Sequence, residues 1–264
     1  MNNTVTRIIV GIIGIPIFLY LIITGGVPFF SLTVLIALAG LWEFHKIFVK
    51  KNIKTFLIPD MLFALLALYE FYFGNAQYIG IILLYPIIIF TAVLLRKNKN
   101  VFDPLVSIGG MAYIVLPLIL LNELIKLKPA AGLMNYVVII FILIWTCDTM
   151  SFFGGKLMGK HKLTEISPKK TIEGLINGIV FTIIAAFVLM FFNKDILNFK
   201  DALVIGLIVA FASPAGDIFE SFLKRSADVK DSSHMIPGHG GVLDRFDSLL
   251  FVAPLVFVYI KFFR

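Results

Sequence analysis

Nearly the whole chain consists of apolar runs, each close to the length of a bilayer crossing, separated by short polar joints. A helix that spans the hydrocarbon needs about 17–25 residues. Nine stretches answer to that description, near 8–23, 27–45, 56–73, 77–95, 103–121, 133–152, 172–192, 202–221 and 248–263. The first and last are short, and Pro16, Pro86, Pro117 and Pro254 fall inside spans, where a proline kinks a helix. With 59% hydrophobic and 15% charged residues, a soluble domain of this length could not cover its apolar surface. The expectation is an all-α, polytopic membrane protein of about nine transmembrane helices. Residues 1–264 form one membrane domain, with N-terminal helices over 1–132 and catalytic helices and cytosolic loops over 133–264. No stretch reads as a soluble domain, a low-complexity linker or an internal repeat. The first span follows Arg7 without a small-residue cleavage site, so it reads as a retained helix.

The basic residues orient the spans. With a cytoplasmic N-terminus, 17 of the 23 Lys and Arg residues fall in inward-facing segments, as the positive-inside rule requires. Nine spans then put the C-terminus outside. The net charge of +7 is gathered in these loops, so anionic headgroups explain it better than nucleic acid. The single cysteine, Cys147, excludes an intrachain disulfide and a Cys-rich metal site.

Two polar, glycine-rich joints face the cytosol in this arrangement. The first runs from Asp148 to Gly174. Gly154, Gly155 and Gly159 allow close backbone approach, and Lys156, Lys160, Lys162, Lys169 and Lys170 can neutralise phosphate oxygens. Thr171 to Gly174 reads as a helix start, whose free N–H groups suit an anion. The plainer reading is a positive-inside loop capped by Ser167-Pro168, and it suffices for the lysines taken alone. Asp148 is different, since a carboxylate at a span end among apolar residues points to function. No Walker A spacing is present.

The second joint, Ser221–Asp247, carries four aspartates together with Lys224, Arg225, Lys230 and Arg245. Asp217 precedes it, with Ser213, Glu220, Ser221 and Lys224 on the same helical face. Asp244 and Asp247 are three residues apart, so a helix starting near Leu243 would aim both carboxylates one way. Oxygen ligands from two helices suit Mg²⁺, which keeps waters and also binds substrate phosphates. Gly238, Gly240 and Gly241 around His239 permit a tight turn with backbone close to a ligand. Carboxylates for a metal and cations for phosphate are what phosphoryl or nucleotidyl transfer needs. Blander roles exist for each residue. Asp244-Arg245 suits a local ion pair capping the last helix, and His239 suits a turn residue. His234 reads as loop, Asp228 as solvent-facing, and Glu43 and Glu70 as snorkelling residues near span ends.

Taken together, Ser221-Phe-Leu-Lys224-Arg225, Lys230-Asp231, Pro237-Gly-His239-Gly-Gly and Asp244-Arg245-Phe-Asp247 resemble the signature of phosphatidate cytidylyltransferases, the CDP-diacylglycerol synthases. The block Ile166–Gly174 (ISPKKTIEG), Asp148-Thr149 and Gly216-Asp217 resemble that family too. The likeness covers roughly the C-terminal half; the N-terminal half agrees in hydropathy and span number. Three departures stand out. Ser151-Phe152 replaces a frequent Ala-Tyr, Leu163-Thr-Glu-Ile166 is a residue short and lacks a proline, and Pro214 stands where Gln is frequent.

The resemblance implies the reaction of CTP with phosphatidate to give CDP-diacylglycerol and pyrophosphate; the small size suggests a prokaryotic plasma (inner) membrane, and the basic loops put the site on its cytoplasmic face. The residues themselves suggest Mg²⁺ on Asp217 and Asp244, with Asp231 or Asp247 as further ligands and room for a second cation; the resemblance implies a homodimer. Lys224, Arg225, Lys230 and Arg245, with Lys169 and Lys170, would stabilise the phosphate charges. Asp231 and His239 join them as catalytic candidates. Asp148, Ser167, Ser221, Gly238, Gly240 and Gly241 would line the substrate. A CDP-alcohol phosphotransferase would need a D-G-x-x-A-R run, which is absent. An ion-coupled transporter would use Asp148 and Asp217 but leave the dense Lys-Asp-His-Gly segment without a role.

Overall fold

The computed structural model describes residues 3–74, 79–97, 99–127, 134–238 and 240–264. Among them the chain forms α1 (Asn3–Thr24), α2 (Gly26–Val49), α3 (Leu57–Phe73), α4 (Ile79–Leu94), α5 (Phe102–Gly110) and α6 (Leu116–Leu127). The C-terminal half adds α7 (Tyr136–Met158), α8 (Ile172–Phe192), α9 (Phe199–Ser226) and α10 (Leu243–Val258). No strand forms among these residues; two isolated bridges, Lys162 with Thr171 and Ile236 with Gly240, close the two polar joints. Each expected span lies on a helix, although 77–78 and 133 fall outside the described residues. Among the described residues six segments are long and apolar enough to cross a membrane: α2, Phe102–Leu127, α7, α8, α9 and Leu243–Phe263. Shorter apolar helices, Val10–Thr24 and Leu83–Leu94, accompany them. The architecture is an all-α membrane bundle with several crossings.

The helices run through their prolines. Pro16, Pro86, Pro214 and Pro254 lie inside α1, α4, α9 and α10. Pro117 is accommodated differently. A π-turn over Met111–Val115 joins α5 to α6, and the Leu116 N–H reaches back to the Met111 carbonyl. The wider turn comes just before the proline, where the missing N–H would otherwise break the ladder.

Helices α7, α8, α9 and α10 pack in sequence, and α10 closes on α6. Buried Leu118, Leu121, Val137, Ile140, Val209 and Val252 belong to one core. Lipid offers no hydrophobic drive for helix association, so close packing of small residues has to supply it. On α8 that stripe is Gly174, Gly178, Thr182 and Ala186, all buried. A Cβ at Gly178 would collide with the Ser151 hydroxyl and lie 3.0 Å from the Cys147 carbonyl. The other side of α8 exposes Val180, Ile184, Val188 and Phe191, the side turned to lipid.

Polar ties mark the two ends of the bundle. At one end Lys51, just beyond α2, meets Asp228, just beyond α9, at 2.7 Å, and the Lys54 N–H donates to Asp103 of α5 at 3.0 Å. There the Lys51 ammonium holds the exposed Asp228 carboxyl below its usual range. At the other end, buried Asp201 receives Arg264 at 2.9 Å and the Tyr259 hydroxyl at 3.0 Å. Arg264 also donates to the Tyr136 hydroxyl, joining α7 to the same knot. Both glycine-rich joints sit at the first end.

Replacing Gly178 by Leu should destabilise the protein by about 1–3 kcal/mol through overpacking. Thermal unfolding in detergent measures it; an unchanged midpoint would mean that α7 and α8 do not rely on this contact.

Candidate active site

The first joint folds back over the start of α8. Thr171 caps that helix, its hydroxyl accepting the Gly174 N–H at 3.1 Å. Glu173 in the first turn accepts the Lys160 N–H at 3.0 Å, and its other oxygen lies 2.6 Å from His161 Nδ1. The Leu163 N–H to Lys170 carbonyl bond, 2.9 Å, closes the loop. It therefore presents Ser167, Lys169 and Lys170 beside α9. The expected helix start at Thr171–Gly174 is where α8 begins.

The second joint is organised by buried carboxylates. Asp244, in the first turn of α10, accepts the Lys224 ammonium at 2.6 Å on one oxygen. Its other oxygen accepts the Gly241 N–H at 2.7 Å and the Ser232 hydroxyl at 2.9 Å. Lys224 is also held by Glu220, one turn earlier on α9, at 2.5 Å. Gly238 and Gly240 have φ of 76° and 88°, a region that favours glycine, and the Ile236 N–H to Gly240 carbonyl bond closes their turn at 2.9 Å.

Behind this turn lies Glu43 of α2, fully buried. Its carboxylate accepts the Val242 and Leu243 N–H groups, both at 2.8 Å, at the start of α10. It also accepts the Ser233 hydroxyl at 2.5 Å, and the Ser232 hydroxyl, shared with Asp244, lies 2.9 Å away. An acidic group at a helix N-terminus meets both the free N–H groups and the positive dipole end. The snorkelling role expected for Glu43 is thus corrected, because its charge is matched by donors inside the protein. Glu70 is likewise buried, at 2% exposure, and does not snorkel.

Between the two joints opens a cleft of about 1070 Å³. Its wall brings together Asp148, Ser167, Lys169, Lys170, Asp217, Lys224, Asp231, Gly238, Gly240, Asp244, Arg245 and Asp247, all expected from sequence. Lys170 crosses it to Asp217 at 2.6 Å, joining the first joint to α9. Phe152, Leu163, Leu175 and Pro214 give the cleft an apolar side. Ser151, Lys156, Glu220 and His234 line it as well. His234 was expected to be plain loop. Its only signal was its position in the polar interval.

Four expected residues lie off this wall. Arg225 is exposed and donates to the Val229 carbonyl at 2.9 Å, closing the end of its own helix. Lys230 is exposed beyond the rim. The Ser221 hydroxyl sits 3.5 Å from Asp217, behind the lining. Gly241 is buried, and a Cβ there would lie 2.6 Å from the Glu43 carboxylate, so it makes room for Glu43 and not for a ligand. His239 lies outside the described residues.

The donors suit a hydrated divalent cation better than a closed protein cage. Among the described residues no group of three His, Cys, Asp or Glu side chains is arranged to hold a metal. Both oxygens of Asp244 are already engaged, which argues against it as a direct ligand in this arrangement. Asp148, Asp217 and Asp247 share the cleft, close enough for their charges to act on one another. Single carboxylates of this kind fit Mg²⁺, which takes one or two from protein and the rest from water and phosphate.

The chain matches the model of the cytidylyltransferase family over residues 5–263. It is 33% identical over 267 residues to the phosphatidate cytidylyltransferase of Bacillus subtilis, covering 97% of each chain. Over 258 residues it is 33% identical to the protein of that name from Staphylococcus haemolyticus and 32% to that of Staphylococcus aureus. Each match spans 95% of this chain and 96% of the relative.

Glu43→Ala should strand two backbone N–H groups and the Ser233 hydroxyl, Ser232 keeping Asp244, at about 1–3 kcal/mol for each one left unsatisfied. Thermal unfolding should register the loss, and trypsin should cut faster after Lys230. Wild-type behaviour in both assays would remove Glu43 from its structural role.

Proposed function

This chain belongs to the cytidylyltransferase family, and we infer that it converts CTP and phosphatidate into CDP-diacylglycerol and pyrophosphate. The observation that carries this reading is the cleft itself. Cations from the α7–α8 joint and carboxylates from α9 and α10 meet there beside an apolar wall at one end of a membrane bundle. Such a place can be reached by a nucleotide from water and by a lipid phosphate from the bilayer.

In the reaction an oxygen of the phosphatidate phosphate bonds to the α-phosphorus of CTP, and the bond to the β-phosphate bridge breaks. The chain's task is to hold two anions against their repulsion and to meet the charge that gathers on pyrophosphate. Lys169, Lys170, Lys156 and Arg245 supply positive charge around the cleft. Lys224 is fixed between Glu220 and Asp244, so its remaining N–H has a set direction. Asp244 acts as the clamp that fixes Lys224 and the glycine turn. Phe152, Leu163 and Leu175 favour the acyl side of the lipid. Mg²⁺, when bound, would supply charge neutralisation for the triphosphate, held by Asp217 and Asp247 with Asp148 nearby.

The orientation follows from the basic joints. With about nine crossings and a cytoplasmic N-terminus, the cleft faces the cytosol, where CTP is found. This fits the plasma membrane of a bacterium.

The test is formation of CDP-diacylglycerol from labelled CTP and phosphatidate by the purified protein. Asp217→Asn and Asp247→Asn should each lower the turnover by about 10²–10³-fold, the scale of losing a key electrostatic group. Chelation should abolish product and Mg²⁺ restore it. Full rate in the chelator would remove the metal, and full rate in both variants would remove the assigned site.

A further inference from the structure

Beside the main cleft lies a smaller cavity of about 180 Å³. Lys46 of α2 and Lys50, which caps that helix, form one wall; Asp231, Ser232, Ser233 and His234 form the other. Asp231 and His234 line both spaces, so the annex and the cleft share a partition. A water occupies about 30 Å³ of liquid, so the annex has room for a phosphate group with a few waters. Ligand pockets for whole small molecules usually exceed about 300 Å³, so a second nucleotide does not fit.

The charges around the annex favour an anion. Lys46 and Lys50, the latter capping α2 in helical conformation, are four residues apart and so lie on one side of the helix end. Among the described residues neither is paired with a carboxylate, whereas Lys51 has Asp228, Lys170 has Asp217 and Lys224 has Glu220 and Asp244. His234 adds a third nitrogen donor. Two acidic groups bear on the space. Asp231 is exposed at the partition, and Glu43 lies behind the wall with its charge met by four donors. The Ser232 hydroxyl lies between Glu43 and Asp244 and that of Ser233 is held by Glu43, which leaves recognition to the cations.

We propose that this annex is a second phosphate-binding subsite, formed by Lys46, Lys50 and His234. The phosphate group comes either from an acidic phospholipid headgroup at the bundle end or from free pyrophosphate. Polybasic segments next to a membrane attract acidic headgroups, and a polyphosphate leaving the cleft is released beside the residues the two spaces share. A bound phosphate bridges α2 to the 229–234 segment from outside, at the same joint that Glu43 makes from inside.

Trp42 reports on the annex, because the Lys46 ammonium sits 4.7 Å from its ring centre. The chain has two tryptophans, so Trp145→Phe leaves this one alone. The single-tryptophan protein is placed in phosphatidylcholine nanodiscs and titrated with pyrophosphate, with saturating CTP in the main cleft. A second series replaces part of the phosphatidylcholine by phosphatidylglycerol. A saturable change in Trp42 emission with pyrophosphate identifies a soluble ligand, and one that follows phosphatidylglycerol identifies a headgroup. Lys50→Ala, which leaves the Lys46–Trp42 contact intact, should raise the midpoint about tenfold, the loss of one charge-assisted contact. No response to either probe, a midpoint unchanged in Lys50→Ala, or a response abolished by CTP would each overturn the proposal. The pyrophosphate arm rests on the reaction proposed above, but the measurement needs no turnover, so failure of the titration and failure of the product assay are told apart.

Discussion

The contact on which the site depends is a buried carboxylate at the head of a helix. Glu43 comes from α2, almost two hundred residues away in sequence from the N–H groups it receives at the start of α10. Those N–H groups have no intrahelical partner and would be stranded at the boundary of a membrane domain. By meeting them, Glu43 fixes where α10 begins, and so where Asp244 and Asp247 point. The same carboxylate holds Ser232 and Ser233, which set the course of the chain into the glycine turn. One acidic side chain in the N-terminal half thus determines the geometry of a site drawn otherwise from the C-terminal half.

A second layer of ion pairs arranges the cleft. Lys224 is claimed by Glu220 and Asp244, and Lys170 by Asp217. The first set is nearly sealed from water and behaves as scaffold. The Lys170–Asp217 pair is more open, with the aspartate side chain 41% exposed, so an incoming phosphate can compete for the lysine. The distinction separates side chains locked into the scaffold from those left open to the cleft.

Much of this was legible in the sequence. In a chain of apolar runs, charged residues stand out, and the two polar joints named the cleft's wall from Asp148 to Asp247. The start of α8 was readable too, because Thr171 is a good cap and a run of apolar residues follows it. What escaped depended on contacts between distant segments. Glu43 looks like any carboxylate near a span end until α10 is brought against it. Gly240 and Gly241 are neighbours in one motif. Yet the first lines the cleft with a positive φ, while the second makes room for Glu43. Arg225 and Lys230 carry the right charge, but the end of α9 turns them outward. Residue type was readable; direction required the fold.

The cleft opens at the bundle end with an apolar side built from Phe152, Leu163, Leu175 and Pro214. Its two reactants are therefore counted in different units. The nucleotide arrives from three dimensions and is measured per litre, while the lipid arrives from two and is measured per unit area of membrane. Diluting the bilayer with inert lipid slows encounter with phosphatidate even when its amount in the vessel is unchanged. Dissolving more vesicles of the same composition leaves that encounter as it was. The protein senses how crowded its membrane is with acceptor, and not how much acceptor there is.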